Sequence, residues 1–314
     1  MLRGWSLLRT GAETIDGEPY LVFCDVGQGD SVLFVAGEWQ MLIDGGLDNG
    51  RALACLNRYM PEGDSKIELL VITHADSDHF GGLATIWDLY LVEMVVVPPA
   101  DKATKGFIAL KEKMLTSVAE SKTELIHCPE GIELKPKEGI EVSFWTVYNR
   151  KFCQNYDIVT KENPNDASGE YFFVAEKEAE INNESIVTFL EIEGVRSAFL
   201  GDLEASGENQ LIDEGYDGKV ELLKVGHHGS RTSTSEKMLQ AWRPAKAVIS
   251  VGAGNSYGHP TKQTLARLEG VEAEIYRTDE LGDVIFRFFM GNWGEENEEK
   301  AQNNLMKTLL NILN

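Results

Sequence analysis

The residues Thr73-His74-Ala75-Asp76-Ser77-Asp78-His79-Phe80-Gly81-Gly82 place two histidines and two carboxylates within six positions. They directly follow an apolar run, Ile67 to Ile72, that reads as a buried strand. Of the six histidines in the chain, three more sit in short glycine-containing segments: His227 and His228 in Val-Gly-His-His-Gly-Ser, and His259 in Tyr-Gly-His-Pro. Imidazole nitrogens and carboxylate oxygens bind divalent cations, and glycines let backbone pass close by. His74, Asp76, Asp78 and His79 are too close together to serve separate sites and too crowded to share one ion. That points to two divalent metal ions, Zn²⁺ or Mn²⁺. Gly201-Asp202 follows another strand, and Asp202 can bridge the pair. His227 and His228 follow the next strand, and at least one of them is expected to be a ligand. Two metals lower the pKa of a bound water to give hydroxide near neutral pH, and they stabilise the oxyanion of the attacked group.

Strands must deliver these segments to one edge. The pattern predicts strands over Tyr20 to Val26, Ser31 to Ala36, Glu38 to Ile43, Ile67 to Ile72, Glu93 to Val97, Glu124 to His127, Ile140 to Thr146, Ser185 to Ile192, Arg196 to Leu200, Val220 to Val225, Ala247 to Val251, Glu274 to Thr278 and Asp283 to Phe288. Helices are expected over Arg51 to Met60, His79 to Leu91, Thr104 to Ser121, Glu204 to Glu214, Ser235 to Trp242 and Thr261 to Leu268. Glu193-Gly194 reads as a hairpin turn, and so does Gly27-Gln28-Gly29, where Gln28 and Asp30 can also line a site. Lys151 to Tyr171 is polar and reads as a loop or insertion. One domain is expected over 1–292, with an insertion near 98–180. Residues 293–314 read as an acidic linker and a short amphipathic helix, docked on its own domain or on a protein partner or second copy.

A chain of 314 residues with 43% hydrophobic content and nine prolines suits an α/β fold with a sizeable core. The formal charge of −22 disfavours tight binding to long polyanions. It allows a small or single-stranded phosphate-containing substrate, with Lys224, Arg231 and Lys262 as local positive charge beside the histidine motifs; solvated charge is the plainer reading of Arg231 and Lys262. Cys24, Cys55, Cys128 and Cys153 form no CxxC pair and read as reduced thiols, Cys24 as packing. No apolar run approaches the ~20 residues of a membrane span, and Met1 to Thr10 is no convincing secretion signal. The expectation is a cytoplasmic protein with no membrane contact. His127, without a partner motif, reads as structural.

His74 to Gly82 resembles the THxDxDHxGG variant of the metallo-β-lactamase signature HxHxDH. Asp25-Val26-Gly27-Gln28-Gly29-Asp30-Ser31, Leu42-Ile43-Asp44-Gly45-Gly46, Asn182-Asn183-Glu184-Ser185, Leu200-Gly201-Asp202-Leu203-Glu204, Lys224-Val225-Gly226-His227-His228-Gly229-Ser230 and Asn255-Ser256-Tyr257-Gly258-His259-Pro260 resemble, in order, the soluble metallo-β-lactamase-like domain of the ComEC family of DNA-uptake proteins. The resemblance runs from about Tyr20 to Phe288. It implies an αββα sandwich of two mixed sheets flanked by helices, with a dinuclear site at one edge. It implies His74, Asp76, Asp78, His79, Asp202 and one or both of His227 and His228 as ligands, with Asp44 supporting the ligand histidines. Asp78 can orient the attacking water, and His259 can contact substrate or protonate the leaving group. Asp25, Gln28, Asp30, Asn182, Ser185, Arg231 and Lys262 fall where residues support the ligands or touch substrate. The chain departs from the pattern at Asp76 (for the second histidine), at the Asn182 region (for a later histidine) and at Gly45 (for a threonine). ComEC proteins carry a membrane channel, so DNA uptake does not follow from the shared motifs.

The activity this implies is hydrolysis of a nucleotide or nucleic-acid phosphodiester. Hydrolysis of a lactone, thioester or phosphorylcholine ester is the alternative, as is a non-catalytic metal-binding scaffold.

Overall fold

A computed structural model describes residues 17–98, 104–127, 129, 131–147 and 181–296. Cys128, Cys153, the polar stretch Lys151 to Tyr171 and the expected C-terminal amphipathic helix lie outside the described residues.

In chain order the elements are β1 (Tyr20–Phe23), β2 (Val32–Ala36), β3 (Trp39–Ile43), α1 (Arg51–Tyr59), β4 (Lys66–Val71), α2 (Ser77–Phe80), α3 (Leu83–Leu89), β5 (Leu91–Val97), α4 (Lys105–Ala119), β6 (Glu124–His127), β7 (Glu133–Lys137) and β8 (Ile140–Trp145). A 3-10 turn (Ile181–Glu184) leads to β9 (Val187–Ile192), β10 (Val195–Phe199), α5 (Ala205–Asp213) and β11 (Leu222–Lys224). A second 3-10 turn (Gly226–Gly229) precedes α6 (Glu236–Trp242), β12 (Lys246–Ile249), α7 (Lys262–Gly270), β13 (Glu274–Arg277), α8 (Thr278–Leu281), β14 (Val284–Phe289) and β15 (Asn292–Glu295).

Among the described residues these strands form an eight-stranded sheet, ordered β15-β14-β1-β2-β3-β4-β5-β6, and a seven-stranded one, ordered β13-β12-β11-β10-β9-β8-β7. Both are mixed: β3 through β6 run parallel, as do β10 through β13, with antiparallel neighbours on the other side. Alternation along each strand explains the layers. Leu21, Phe23, Phe34, Met41 and Val71 of the first sheet meet Val142, Phe144, Leu190, Phe199 and Val248 of the second in one buried layer. The opposite faces are covered by helices. Leu56 of α1, Leu83 of α3 and Phe107, Leu110, Met114 and Val118 of α4 cover the first; Leu211 of α5, Met238 and Trp242 of α6 and Leu268 of α7 cover the second. Each fully buried aromatic or large aliphatic side chain contributes roughly 1.5–3 kcal/mol. The architecture is the expected αββα sandwich.

Several boundaries differ from the sequence reading, each for a local reason. The strand expected to reach Val26 stops at Phe23, and residues 24–31 form a long loop instead of a tight turn at Gly27-Gln28-Gly29. Gly29 (φ +125°) explains this: a Cβ there would lie 2.1 Å from the Asp78 carbonyl, so the loop is packed on the histidine segment. The single helix expected over His79 to Leu91 is two helices, broken at Gly81-Gly82. A Cβ on Gly82 would lie 2.3 Å from the Gly45 carbonyl, so the break lets the β3 and β4 loops touch. The sequence reading missed β7, β15 and α8. The hairpin at Glu193-Gly194 forms as expected, with φ of 51° and 82° suiting a type I′ turn.

The cysteine reading is corrected. Cys24 and Cys55 form a disulfide, joining the end of β1 to α1. This removes the reduced-thiol basis for expecting a cytoplasmic location, since disulfides persist mainly in oxidising compartments. None of the described helices is long and apolar enough to cross a membrane.

Candidate metal centre

The parallel strands deliver the polar residues to one sheet edge. Asp44 follows β3, Thr73 and His74 follow β4, Asp202 follows β10, His227 and His228 follow β11, and Ser250 follows β12. Asp30 arrives from the β1–β2 loop. Asp30, Asp44, His74, His79, Asp202 and His228 are all buried.

Asp202 organises the cluster by using its two oxygens differently. Oδ1 lies 3.2 Å from His79 Nε2 and 3.4 Å from His228 Nε2, and His228 Nε2 is also 3.4 Å from Asp78 Oδ2. Oδ2 lies 3.8 Å from His74 Nε2 and 3.8 Å from His227 Nε2, and Asp76 Oδ2 is 3.9 Å from His74 Nε2. The donors thus fall into two sets that share Asp202. Both adjacent histidines face Asp202, from opposite sides.

The histidines are locked in one tautomer by their other nitrogens. His79 Nδ1 donates to Asp44 Oδ2 at 2.8 Å, and His228 Nδ1 donates to the Ser250 carbonyl at 2.9 Å. Thr73 Oγ1 donates to Asp44 Oδ2 at 2.7 Å, which leaves it to accept from His74 Nδ1 at 3.1 Å. Thr73 N holds the other Asp44 oxygen at 2.8 Å. All three Nε2 atoms therefore point inward. His74 Nε2, His79 Nε2, His228 Nε2 and Asp202 Oδ1 are buried without a hydrogen-bond partner among the described residues. A buried polar atom left unpaired is costly unless something else satisfies it. Ligand atoms of Asp78, His79 and His228 lie within 4.8 Å of one another, and so do those of His74, His79 and Asp202, so His79 stands close to both sets. These residues fit a divalent cation in donor type, tautomer and direction.

Charge crowding shifts the titrating groups. Burial opposes charge on His79, but Asp202, Asp44 and Asp30 hold its imidazole well above the usual value. Burial likewise opposes charge on His228, yet Asp202 and Asp30 raise it to about 10. Burial, reinforced by His79, lowers His74 to about 3. Burial would raise Asp202, but His228 and His79 hold it well below the carboxylate range. In Asp78 the effect of burial is outweighed by His228 and His79, which lower it. Burial raises Asp44 despite its bond to His79.

Backbone strain marks the same place. Asp44, His227 and His228 have φ of 59°, 47° and 51°, in the left-handed region that side chains rarely adopt. Such residues cost of order 1–3 kcal/mol each and persist where the surroundings enforce them.

The remaining expected site residues divide. Ser185 Oγ accepts from Asp202 N at 3.0 Å and lies 3.5 Å from His74 Nδ1. Asn182 Nδ2 donates to Glu204 Oε1 at 3.4 Å. Gln28 Oε1 accepts from Gly252 N at 3.4 Å, tying two loops together. His259 stands at the rim, its ring 5.6 Å from that of His227. Asp25 turns away to pair with Arg51 at 3.2 Å and does not join the donors. Arg231 and Lys262 are exposed at the surface. The sequence reading missed Glu204, whose carboxylate lies 3.3 Å from His227 Nδ1, and Thr73, which pins Asp44. It took Lys224 for local surface charge, yet the side chain is buried against Asp30. The position of Thr73 beside His74 was a usable signal; Glu204 and Lys224 had none without the fold.

The profile of the metallo-beta-lactamase superfamily matches residues 24–253. The chain is 30% identical over 284 residues to ComE operon protein 3 of Bacillus subtilis (strain 168), covering 84% of this chain and 32% of that protein. It is 27% identical over 269 residues to Recombination protein 2 of Haemophilus influenzae, covering 84% of this chain and 28% of that protein. The chain thus spans about a third or less of the curated relatives it matches. The resemblance to ComEC-type competence proteins holds at this level. Among solved structures, the metallo-beta-lactamase fold protein YhfI from Bacillus subtilis superposes with a TM-score of 0.52 at 10% identity, over 86% of this chain and 100% of that one, a likeness of fold alone. Motifs, sandwich and donor cluster converge: the chain belongs to the metallo-beta-lactamase superfamily of metal-dependent hydrolases.

Proposed function

We propose that the chain is a phosphodiesterase that uses two divalent cations, Zn²⁺ or Mn²⁺, to act on a nucleotide or a short, single-stranded nucleic acid. The observation that carries this reading is the division of donors about Asp202. His79, His228 and Asp78 with Oδ1 would hold one cation; His74, His227 and Asp76 with Oδ2 would hold the other. Bound cations of this kind supply a water of lowered pKa and a polarising contact to the phosphoryl oxygens.

The chain's own residues supply the rest. Asp44 and Ser250 fix the imidazoles, so the donors need no rearrangement. Asp78, at the open side of the cluster, can orient the attacking water. His259 Nδ1 has no hydrogen-bond partner among the described residues, and its ring borders His227, within reach of a leaving group. Tyr257 is 69% exposed beside it, its ring 5.9 Å from that of His259 at an interplanar angle of 28°. Asn255 ties this loop down through bonds to Gly252, Tyr257 and His259. An exposed, fixed aromatic face beside the centre suits a stacked base, a contact worth roughly 1–3 kcal/mol. The net charge of −22 favours small substrates over long duplexes. The competence proteins among the relatives make a nucleic-acid substrate the natural first choice.

The test is a panel of bis-(p-nitrophenyl) phosphate, single-stranded DNA, a cyclic nucleotide and a lactone, each with Zn²⁺ and Mn²⁺ separately. Phosphodiester hydrolysis that is lost in Asp202→Ala is expected. Turnover of the lactone alone would move the assignment to another ester. No turnover with either ion would favour a metal-binding scaffold.

A further inference from the structure

Lys224 is a buried cation beside the candidate metal centre. It ends β11, where Leu222 packs between the sheets and Leu223 packs under the helices. The period of two turns Lys224 back between the sheets, and its side chain is 1% exposed. Its ammonium donates to Asp30 Oδ2 and lies 3.4 Å from the Gly201 carbonyl. Asp30 comes from the opposite sheet's β1–β2 loop, so the pair bridges the sandwich beneath the donors. The other Asp30 oxygen, Oδ1, lies 3.3 Å from His228 Nδ1, and Oδ2 is 3.8 Å from His79 Nδ1. Asp30 also forms a possible ion-holding group with Asp202 and His228, their ligand atoms within 4.8 Å of one another. Without a competitor, Asp30 is therefore placed to become an extra ligand.

We propose that Lys224 is a fixed cation of the metal centre: it claims Asp30 and keeps that carboxylate out of metal coordination. The proposal rests on the metal-centre reading above. Lys224 is on this view a positioning residue, not a substrate contact. A positive charge so near divalent cations also lowers their affinity, because like charges in a partly desolvated site repel. Among the described residues Asp44 has no lysine or arginine partner; Thr73 and His79 hold it. The two carboxylates therefore present different net charge to the histidines beside them.

The test is Mn²⁺ titration of the EDTA-stripped full chain by calorimetry, with metal content measured after gel filtration, for wild type, Lys224→Met, Asp30→Asn and the double variant. Lys224→Met should bind Mn²⁺ at least about tenfold more tightly, its metal-free form melting lower and recovering on metal addition. Asp30→Asn leaves the ammonium without its counter-ion and should bind at least about tenfold more weakly, and adding Lys224→Met should restore affinity to within about threefold of wild type. Unchanged or weaker binding by Lys224→Met would overturn the proposal. If that single variant does not fold, equal affinities of Asp30→Asn and the double variant would overturn it. Wild type that binds no Mn²⁺ or Zn²⁺ would overturn the metal-centre reading as well, which separates the two failures.

Discussion

Removing the Cys24–Cys55 bond should lower stability by about 3.7 kcal/mol. The bond joins residues 31 apart in sequence. Closing a loop of that length removes about 12 cal/mol/K of unfolded-chain entropy, or roughly 3.7 kcal/mol at 25 °C. Both cysteines are buried, at 0% and 4% exposure, so the sulfurs make little contact with water in either redox form. In a chain of this size each kcal/mol moves the melting temperature by roughly 2 °C, so a drop of about 7 °C is expected. The assay is calorimetry of the metal-free protein: wild type, wild type with a phosphine reductant, and the Cys24→Ala/Cys55→Ala double variant. Peptide mapping without reduction should recover the linked pair. Metal must be absent, because a bound cation stabilises the fold by mass action and would mask the loss. A double variant that melts within about 1 °C of wild type would refute the loop-closure argument. Alkylation of both cysteines in unreduced protein would refute the pairing itself.

Asp44→Asn should weaken cation binding by about 10- to 100-fold, because it disturbs the acceptor of His79 Nδ1; unchanged affinity by calorimetry would show that the His79 tautomer is held otherwise. Cation binding should release protons, because His228 stands at about 10 in the metal-free protein; titrations at pH 8 in buffers of different ionisation enthalpy should reveal at least about one proton, and affinity should fall with falling pH. The same imidazole stabilises the metal-free fold below its ordinary value of 6.5, a contribution lost as pH rises through about 10. Glu208, fully buried, accepts from Thr234 N and Ser235 N at 2.5 and 2.6 Å, and burial raises it from 4.5 to about 7. Its folded pKa exceeds the unfolded one, so stability should fall by up to roughly 3 kcal/mol as pH rises from 4.5 to about 7. Denaturant melts of Glu208→Gln should lack that slope; an identical slope in both proteins would contradict it.

The centre was legible in the sequence wherever donors cluster locally. His74 to His79 carry their chemistry in residue type and spacing, and the adjacent histidines do the same. What spacing could not show is how Asp202 divides them, because that depends on where β10 and β11 end relative to β4. Lys224 was hidden for a similar reason: its partner lies 194 residues away in another sheet's loop. The disulfide was hidden because no CxxC motif announces it, and four cysteines allow three complete pairings. The αββα order followed from family resemblance; periodicity located most strands but not their sheets. β13 and β14, consecutive strands in the chain, belong to different sheets. The short edge strands β7 and β15 carry polar or glycine-containing sequences, ELKPK and NWGE, that hide them from apolar patterning.

The most direct test of the metal-centre account is a crystal of the Mn²⁺- or Zn²⁺-loaded chain, measured for anomalous scattering at the metal edge. The account predicts a peak on each side of the Asp202 carboxylate, one against His79, His228 and Asp78, the other against His74 and His227. A saturated crystal with no anomalous peak there, or with ions that leave Asp202 uncoordinated, would contradict it.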